Sequence, residues 1–234
     1  MAKSKKHTKK VEAGEKNIEA VEGALSKTEQ FIENNQNRIF WIVGIIVVIV
    51  AGYIGYTRFV LEPREESAKA EIYMAEKYFE QDSLELALYG DGMHYGFLDI
   101  ISEYRFTNTA NLAKYYSGIS YLRLGEYHEA IDYLESYRAD DQILGAMAYG
   151  AIGDAYLKLD EKDNAIDYYT DAYNHEPNHL TTPIFLFKAA QLHEHSEQYE
   201  EALRLYKKIR DDYPDSDEAN NIERYIARTQ AKKS

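Results

Sequence analysis

The stretch GISYLRLGEYHEAIDYL, Gly118 to Leu134, returns twice further along the chain. Residues 153–172 read GDAYLKLDEKDNAIDYYTDA and residues 190–206 read AQLHEHSEQYEEALRLY. In each copy a small residue (Gly118, Gly153 or Ala190) stands 12 positions before an alanine (Ala130, Ala165 or Ala202). A large side chain follows four positions later: Leu134, Tyr169 or Tyr206. The alanines are 35 and 37 residues apart, and the apolar positions around them keep helical spacing with no strand alternation. A fixed period of this length marks a stack of helix–turn–helix units, each too small to bury its apolar face alone. Small residues let two antiparallel helices approach, and large ones fill the gaps beside them. The expected fold is all-α.

These residues resemble the tetratricopeptide repeat. Gly118, Gly153 and Ala190 match its small position where helix A meets helix B, and Ala130, Ala165 and Ala202 its small position on helix B. Pro177 and Pro214 match its terminating proline. The resemblance implies a solenoid of helical hairpins, with three repeats over 111–214. Many of the 22 tyrosines then serve packing. Upstream, Ala75 and Ala87 are again 12 apart with Tyr78 between them, which makes 64–109 a degenerate first repeat. Three glycines in seven residues (Gly90, Gly92, Gly96) interrupt it, since glycine disfavours helix. That insertion is either a tolerated loop or a functional loop over the groove. Phe97, Ile100 and Tyr104 then resume the pattern of Tyr206, Ile209 and Tyr213. At the far end, Asp215 and Glu218 read as a capping pair for a helix over 215–234 that covers the last repeat.

Residues 39–57 read IFWIVGIIVVIVAGYIGYT, 19 positions without a charge. As a helix they span roughly 28 Å, the hydrocarbon thickness of a bilayer. Trp41 lies near one end and Tyr53, Tyr56 and Phe59 near the other, as aromatic belts do. No small-residue cleavage site follows, so 39–58 is read as one uncleaved transmembrane helix in contact with the lipid bilayer. Residues 1–38 form a basic tail in which Ile18, Val21, Leu25, Thr28 and Ile32 make a short heptad seam, the mark of an amphipathic helix. Lysines at positions 3–10 favour a cytoplasmic N-terminus. Arg58, Arg64, Lys69 and Lys77 on the far side pull the other way, but long domains translocate largely regardless of charge. The expected layout is N-inside, with the repeats outside.

Charge divides along the same boundaries. Residues 1–38 carry eight bases and six acids, a net of +2; residues 58–234 carry nineteen bases and thirty-four acids, a net of −15. So acidic a body is repelled by nucleic acid, which is excluded as a partner. The chain has no cysteine, which removes disulfides, thiol catalysis and a lipoprotein anchor. No phosphate loop, HExxH, dinucleotide fingerprint or nucleophile elbow occurs. The histidine pairs, His193 with His195 and His175 with His179, fall on packing positions or beside the terminating proline. No metal, cofactor or catalytic residue is expected, and the chain is not read as an enzyme.

In tetratricopeptide families helix A lines the concave wall. Carried over residue by residue, that wall comprises Tyr115, Ile119, Leu122 and Arg123, then Asp154, Leu157 and Lys158, then Phe187, Gln191 and Glu194. The mixture of aromatic, aliphatic and charged side chains suits an extended peptide. It lacks the Lys/Asn set with which some family members clamp a C-terminal carboxylate.

The layout of short tail, single membrane helix and repeat body is similar to that of the YfgM-like family. The resemblance implies an ancillary subunit of the bacterial Sec translocon in the inner membrane, with a periplasmic repeat domain. Its implied partners are translocon components, a periplasmic chaperone and translocating chains. Two alternatives stay open: a cell-envelope assembly scaffold with other clients, and an oppositely oriented, import-receptor-like repeat protein.

Overall fold

The computed structural model describes residues 33–233, and the heptad seam expected over Ile18–Ile32 lies outside them. No β-strand occurs among the described residues. The chain divides into two compact units, at residue 60. In the first, residues 33–56 are helical (α1). One helix among the described residues is long and apolar enough to cross a membrane, and none of the described residues buries its apolar window. Large side chains there, from Phe40 and Trp41 to Tyr56, are exposed. A soluble core helix of the same composition would be covered.

The second unit begins where Thr57–Leu61, wound as a π-helix, gives way to α2, Glu62–Glu80. Then come α3 (Leu84–Tyr89), α4 (Phe97–Glu103), α5 (Asn108–Leu124), α6 (Tyr127–Ser136) and α7 (Gln142–Lys158). α8 (Lys162–Asn174), α9 (Thr182–His195), α10 (Tyr199–Asp212) and α11 (Ile222–Lys233) complete the chain. From α4 onward each helix packs on the next, so contacts stay local, as in a solenoid.

The small positions have direct physical causes. A Cβ on Gly118 would lie 2.4 Å from Cγ of Leu134, and one on Gly153 would lie 2.7 Å from the ring of Tyr169. Those are the two large side chains of the same repeats, so each hairpin closes only because its helix A carries no side chain there. Ala190 is fully buried against the core that holds Tyr206.

The turn from helix A to helix B has one geometry throughout. Asp82, Gly125, Asp160 and Glu197 all have left-handed backbone (φ 59°, 87°, 61° and 60°). Each stands seven residues after Ala75, Gly118, Gly153 or Ala190. The next amide closes a six-to-one bond in every copy: Ser83 to Tyr78, Glu126 to Tyr121, Glu161 to Tyr156 and Gln198 to His193. This is the Schellman closure of a helix C-terminus, and it places the degenerate α2–α3 pair in the same scheme as the other hairpins.

In that first unit of the array, helix B is broken in two. The glycine loop separates α3 from α4, and Ala87 of α3 and Ile100 of α4 both enter one core with Ile72, Ala75 and Ala113. Cβ atoms at Gly90 or Gly96 would each strike backbone across the loop's base, at 2.2 Å. The loop is folded on Asp91, whose carboxylate accepts from the amides of Met93 and His94, the His94 ring and the Tyr78 hydroxyl. Those bonds, led by His94, hold Asp91 well below the usual carboxylate range. The insertion is therefore tied to α2 through Tyr78, with Met93 at its tip 87% exposed.

At the other end the capping residue differs from expectation. Ser216, not Asp215, accepts from the amide of Ala219 and starts a 3₁₀ turn, Asp217–Asn221, ahead of α11. Serine one position later has the extended backbone (ψ 156°) that an N-cap needs.

Candidate functional site

Helices α7 and α9, the A helices of adjacent repeats, leave a cleft of about 360 Å³ between them. Asp154 and Leu157 of α7 line it with Lys188, Gln191 and His195 of α9. The Asp154 carboxylate organises its wall. Lys188 Nζ donates to both of its oxygens at 2.7 Å, and the Tyr169 hydroxyl donates to Oδ1 at 2.6 Å. Burial and the neighbouring carboxylate push the Tyr169 phenol up, so it stays a donor at any ordinary pH. Lys188 also lies over the rings of Tyr169 and Phe185, at 5.5 and 5.8 Å, which holds its ammonium without removing it from the cleft. Leu157 and Gln191 are exposed beside this pair, and Gln191 has no hydrogen-bond partner among the described residues. The cleft thus offers an apolar side chain, an amide and a paired charge, which suits polypeptide.

The other expected wall residues lie elsewhere. Arg123 faces a broader cleft of about 700 Å³ at the α2–α3 turn, paired with Asp82 at 2.6 Å and stacked on Phe79 at 5.2 Å. Tyr115, Ile119 and Leu122 are half-buried against Ala148, Ala151, Ile152 and Ala155, filling the seam between α5 and α7. Burial, with Tyr116 and Tyr137 close by, pushes the Tyr115 phenol up to about 12. Lys158 is exposed. Phe187 meets Tyr225 of α11 edge-on at 4.9 Å. Glu194 has a side chain only 4% exposed and accepts from Arg228 and Lys232 of α11 and from Tyr206. In the last repeat, therefore, two of the three inherited groove positions hold the capping helix, leaving Gln191 to the open cleft.

Lys188 was not among the expected groove residues, and Tyr169, expected as a packing residue, also bonds to the cleft's carboxylate. Lys188 carries a signal that could have found it, because it lies 34 residues after Asp154, the same separation as Glu194 and Arg228. Residues one period apart on A helices face each other across the stack.

No group of three or more His, Cys, Asp or Glu side chains able to hold a metal occurs among the described residues. His175 packs into the space left by Gly145 and edge-on to Tyr149, while His179 meets Tyr213. His193 bonds to Gln198 at its own hairpin turn.

Residues 115–179 match one tetratricopeptide-repeat family model and residues 185–216 match another. No curated protein matches the chain. The matched ranges fall on the α5–α10 hairpins, whose glycine contacts and turn closures are those of stacked helix pairs, and the chain carries tetratricopeptide repeats there, which indicate a protein–protein interaction scaffold.

Proposed function

We propose that the repeat body is a non-catalytic docking scaffold for polypeptide, held at a bacterial inner membrane by residues 39–58, with its N-terminus cytoplasmic and its repeats periplasmic. The observation that carries the docking reading is the α7–α9 cleft, where Leu157 and Gln191 stand open beside the fixed Asp154–Lys188 pair. An extended chain could place an apolar side chain on Leu157 and its backbone amides on Gln191. The membrane reading is supported by an apolar helix that none of the described residues covers. With the resemblance in layout to the YfgM-like family, these features favour an ancillary role at the Sec translocon, holding a chaperone or emerging chains.

The test is in vivo photo-crosslinking from Leu157 and Gln191, which are open, whereas Tyr115 and Phe187 are half-buried. Adducts with translocon, chaperone or secretory chains support the reading; adducts solely with envelope-assembly proteins replace it with the assembly-scaffold reading. Protease added to intact spheroplasts should digest the repeats, and their survival would reverse the orientation.

A further inference from the structure

A third cleft, of about 330 Å³, lies against α5, lined by residues outside the α7–α9 wall. Its lining includes Arg105, Lys114 and Arg138, with Ile101 and Phe106 beside them, and contains no acidic residue. That is unusual for a body with a net charge of −15 over residues 58–234. The three cations are differently engaged. Lys114 Nζ donates to the Ser136 carbonyl at 3.0 Å. Arg138 donates to Asp140 and, at 3.1 Å, to Asn108 Oδ1. Among the described residues nothing pairs with the Arg105 guanidinium. The α5 N-terminus is not the attraction, because the Glu65 carboxylate already accepts from the Asn108 and Thr109 amides.

Phe106 makes the cleft more than a charged dent. Its ring is 80% exposed and its backbone is left-handed, with φ at 71°. A bulky residue avoids that region, and such strain persists only where neighbours impose it. They do so here: Thr107, buried, donates its hydroxyl to the Tyr104 carbonyl at 2.7 Å and caps α5 through Ala110 at 3.0 Å. The turn is pinned on its C-terminal side, so the aromatic ring is held outward at the rim of a cationic cleft.

We infer that this cleft binds an acidic segment of a partner polypeptide, with a carboxylate on Arg105 and Lys114 and an adjacent apolar side chain against Phe106 and Ile101. Guanidinium and carboxylate match in shape as well as charge, and exposed aromatics commonly anchor peptide side chains. A nucleic acid is disfavoured because its extended phosphate backbone would have to cross the surrounding acidic surface. The inference does not rest on the α7–α9 cleft, and its test leaves that cleft intact.

The experiment uses the full chain in mild detergent and a short fluorescein-labelled peptide alternating Asp or Glu with Phe or Leu, read by anisotropy. A counterpart with Asn and Gln for the acids is the control. The acidic peptide should bind, the neutral one should bind at least about tenfold more weakly, and added salt should weaken the former. Arg105→Glu should weaken binding at least about tenfold. Phe106→Gly, which relieves its own backbone, should also weaken binding and carries the test if Arg105→Glu disturbs helicity. Equal binding of the neutral peptide, indifference to both substitutions, or full displacement by inorganic phosphate at matched charge would overturn the proposal.

Discussion

Lys188 Nζ lies 2.7 Å from both carboxylate oxygens of Asp154, one repeat earlier, while Tyr169 reaches Oδ1 from helix B of Asp154's own repeat. One carboxylate thus ties α7, α8 and α9 together at the floor of the candidate groove. The Asp154 and Lys188 side chains are each a little over a third exposed, so the ion pair alone is partly screened. The Tyr169 ring is buried, and its hydroxyl needs the acceptor. Asp154→Ala should therefore cost about 2 kcal/mol in chemical denaturation, most of it through Tyr169. A double-mutant cycle between Asp154→Ala and Lys188→Ala should give a coupling of only about 0.5–1 kcal/mol. A coupling above the whole Asp154→Ala loss would show that Tyr169 is not the larger partner.

Glu194 fixes the capping helix and should make it sensitive to acid. Burial opposes ionisation of this carboxyl, but hydrogen bonds from Arg228 and Lys232 outweigh it and lower its pKa below the ordinary 4.5. A group depressed in the folded state contributes stability above its unfolded pKa, and loses it as pH falls through the folded value. Amide protection factors in α11, corrected for the intrinsic pH dependence of exchange, should thus be high at neutral pH and fall below about pH 4.5, ahead of those in α7 and α8. Glu194→Gln should cost about 2 kcal/mol at neutral pH and remove most of that acid sensitivity. An α11 whose protection factors fall no earlier than those of α7 and α8 on acidification of the wild-type chain would refute the assignment.

The hairpins were legible because repetition averages over local accidents: Gly118 against Leu134 and Gly153 against Tyr169 are contacts within one repeat, 16 residues apart, and recur at fixed spacing. The groove was less legible. Its residues were carried over position by position, yet Tyr115 and Ile119 are half-buried in the seam with α7, and Phe187 and Glu194 lie under α11. Whether a helix A residue faces a partner or the next helix depends on the stack's local packing, which no single repeat encodes. The cleft at Arg105 gave no signal at all, since its cations come from the α4–α5 turn, mid-α5 and the α6–α7 loop.

Gly150 shows that packing between repeats makes the same demand as packing within them. A Cβ there would sit 1.9 Å from Phe185 Cε1, a ring that is itself buried on α9. The ring has no free end to swing away, so α7 and α9 must separate or Phe185 must leave its rotamer. Gly150→Ala should cost about 1–3 kcal/mol, despite the better helix propensity of alanine. Gly52→Ala in α1 meets nothing within 4 Å among the described residues and should be neutral in the same chain. Thermal melts of both variants separate a packing glycine from a tolerated one.

The left-handed turn residue provides a graded test of the common hairpin closure. At that position Gly125 sits with φ 87°, whereas Asp160 and Glu197 adopt about the same backbone with side chains. A non-glycine residue there costs about 1–2 kcal/mol from Cβ against the following carbonyl, eased for Asp because its short side chain bonds locally. Gly125→Ala should therefore destabilise by about 1 kcal/mol. Glu197→Gly should stabilise by up to about 1 kcal/mol, since Glu lacks the short-chain relief and glycine returns part of the gain as unfolded-state entropy. Asp160→Gly should fall between these two, and urea unfolding midpoints at constant slope would rank the three. If Glu197→Gly lowered the midpoint, the shared closure across these hairpins would not be the strained element inferred from its φ values.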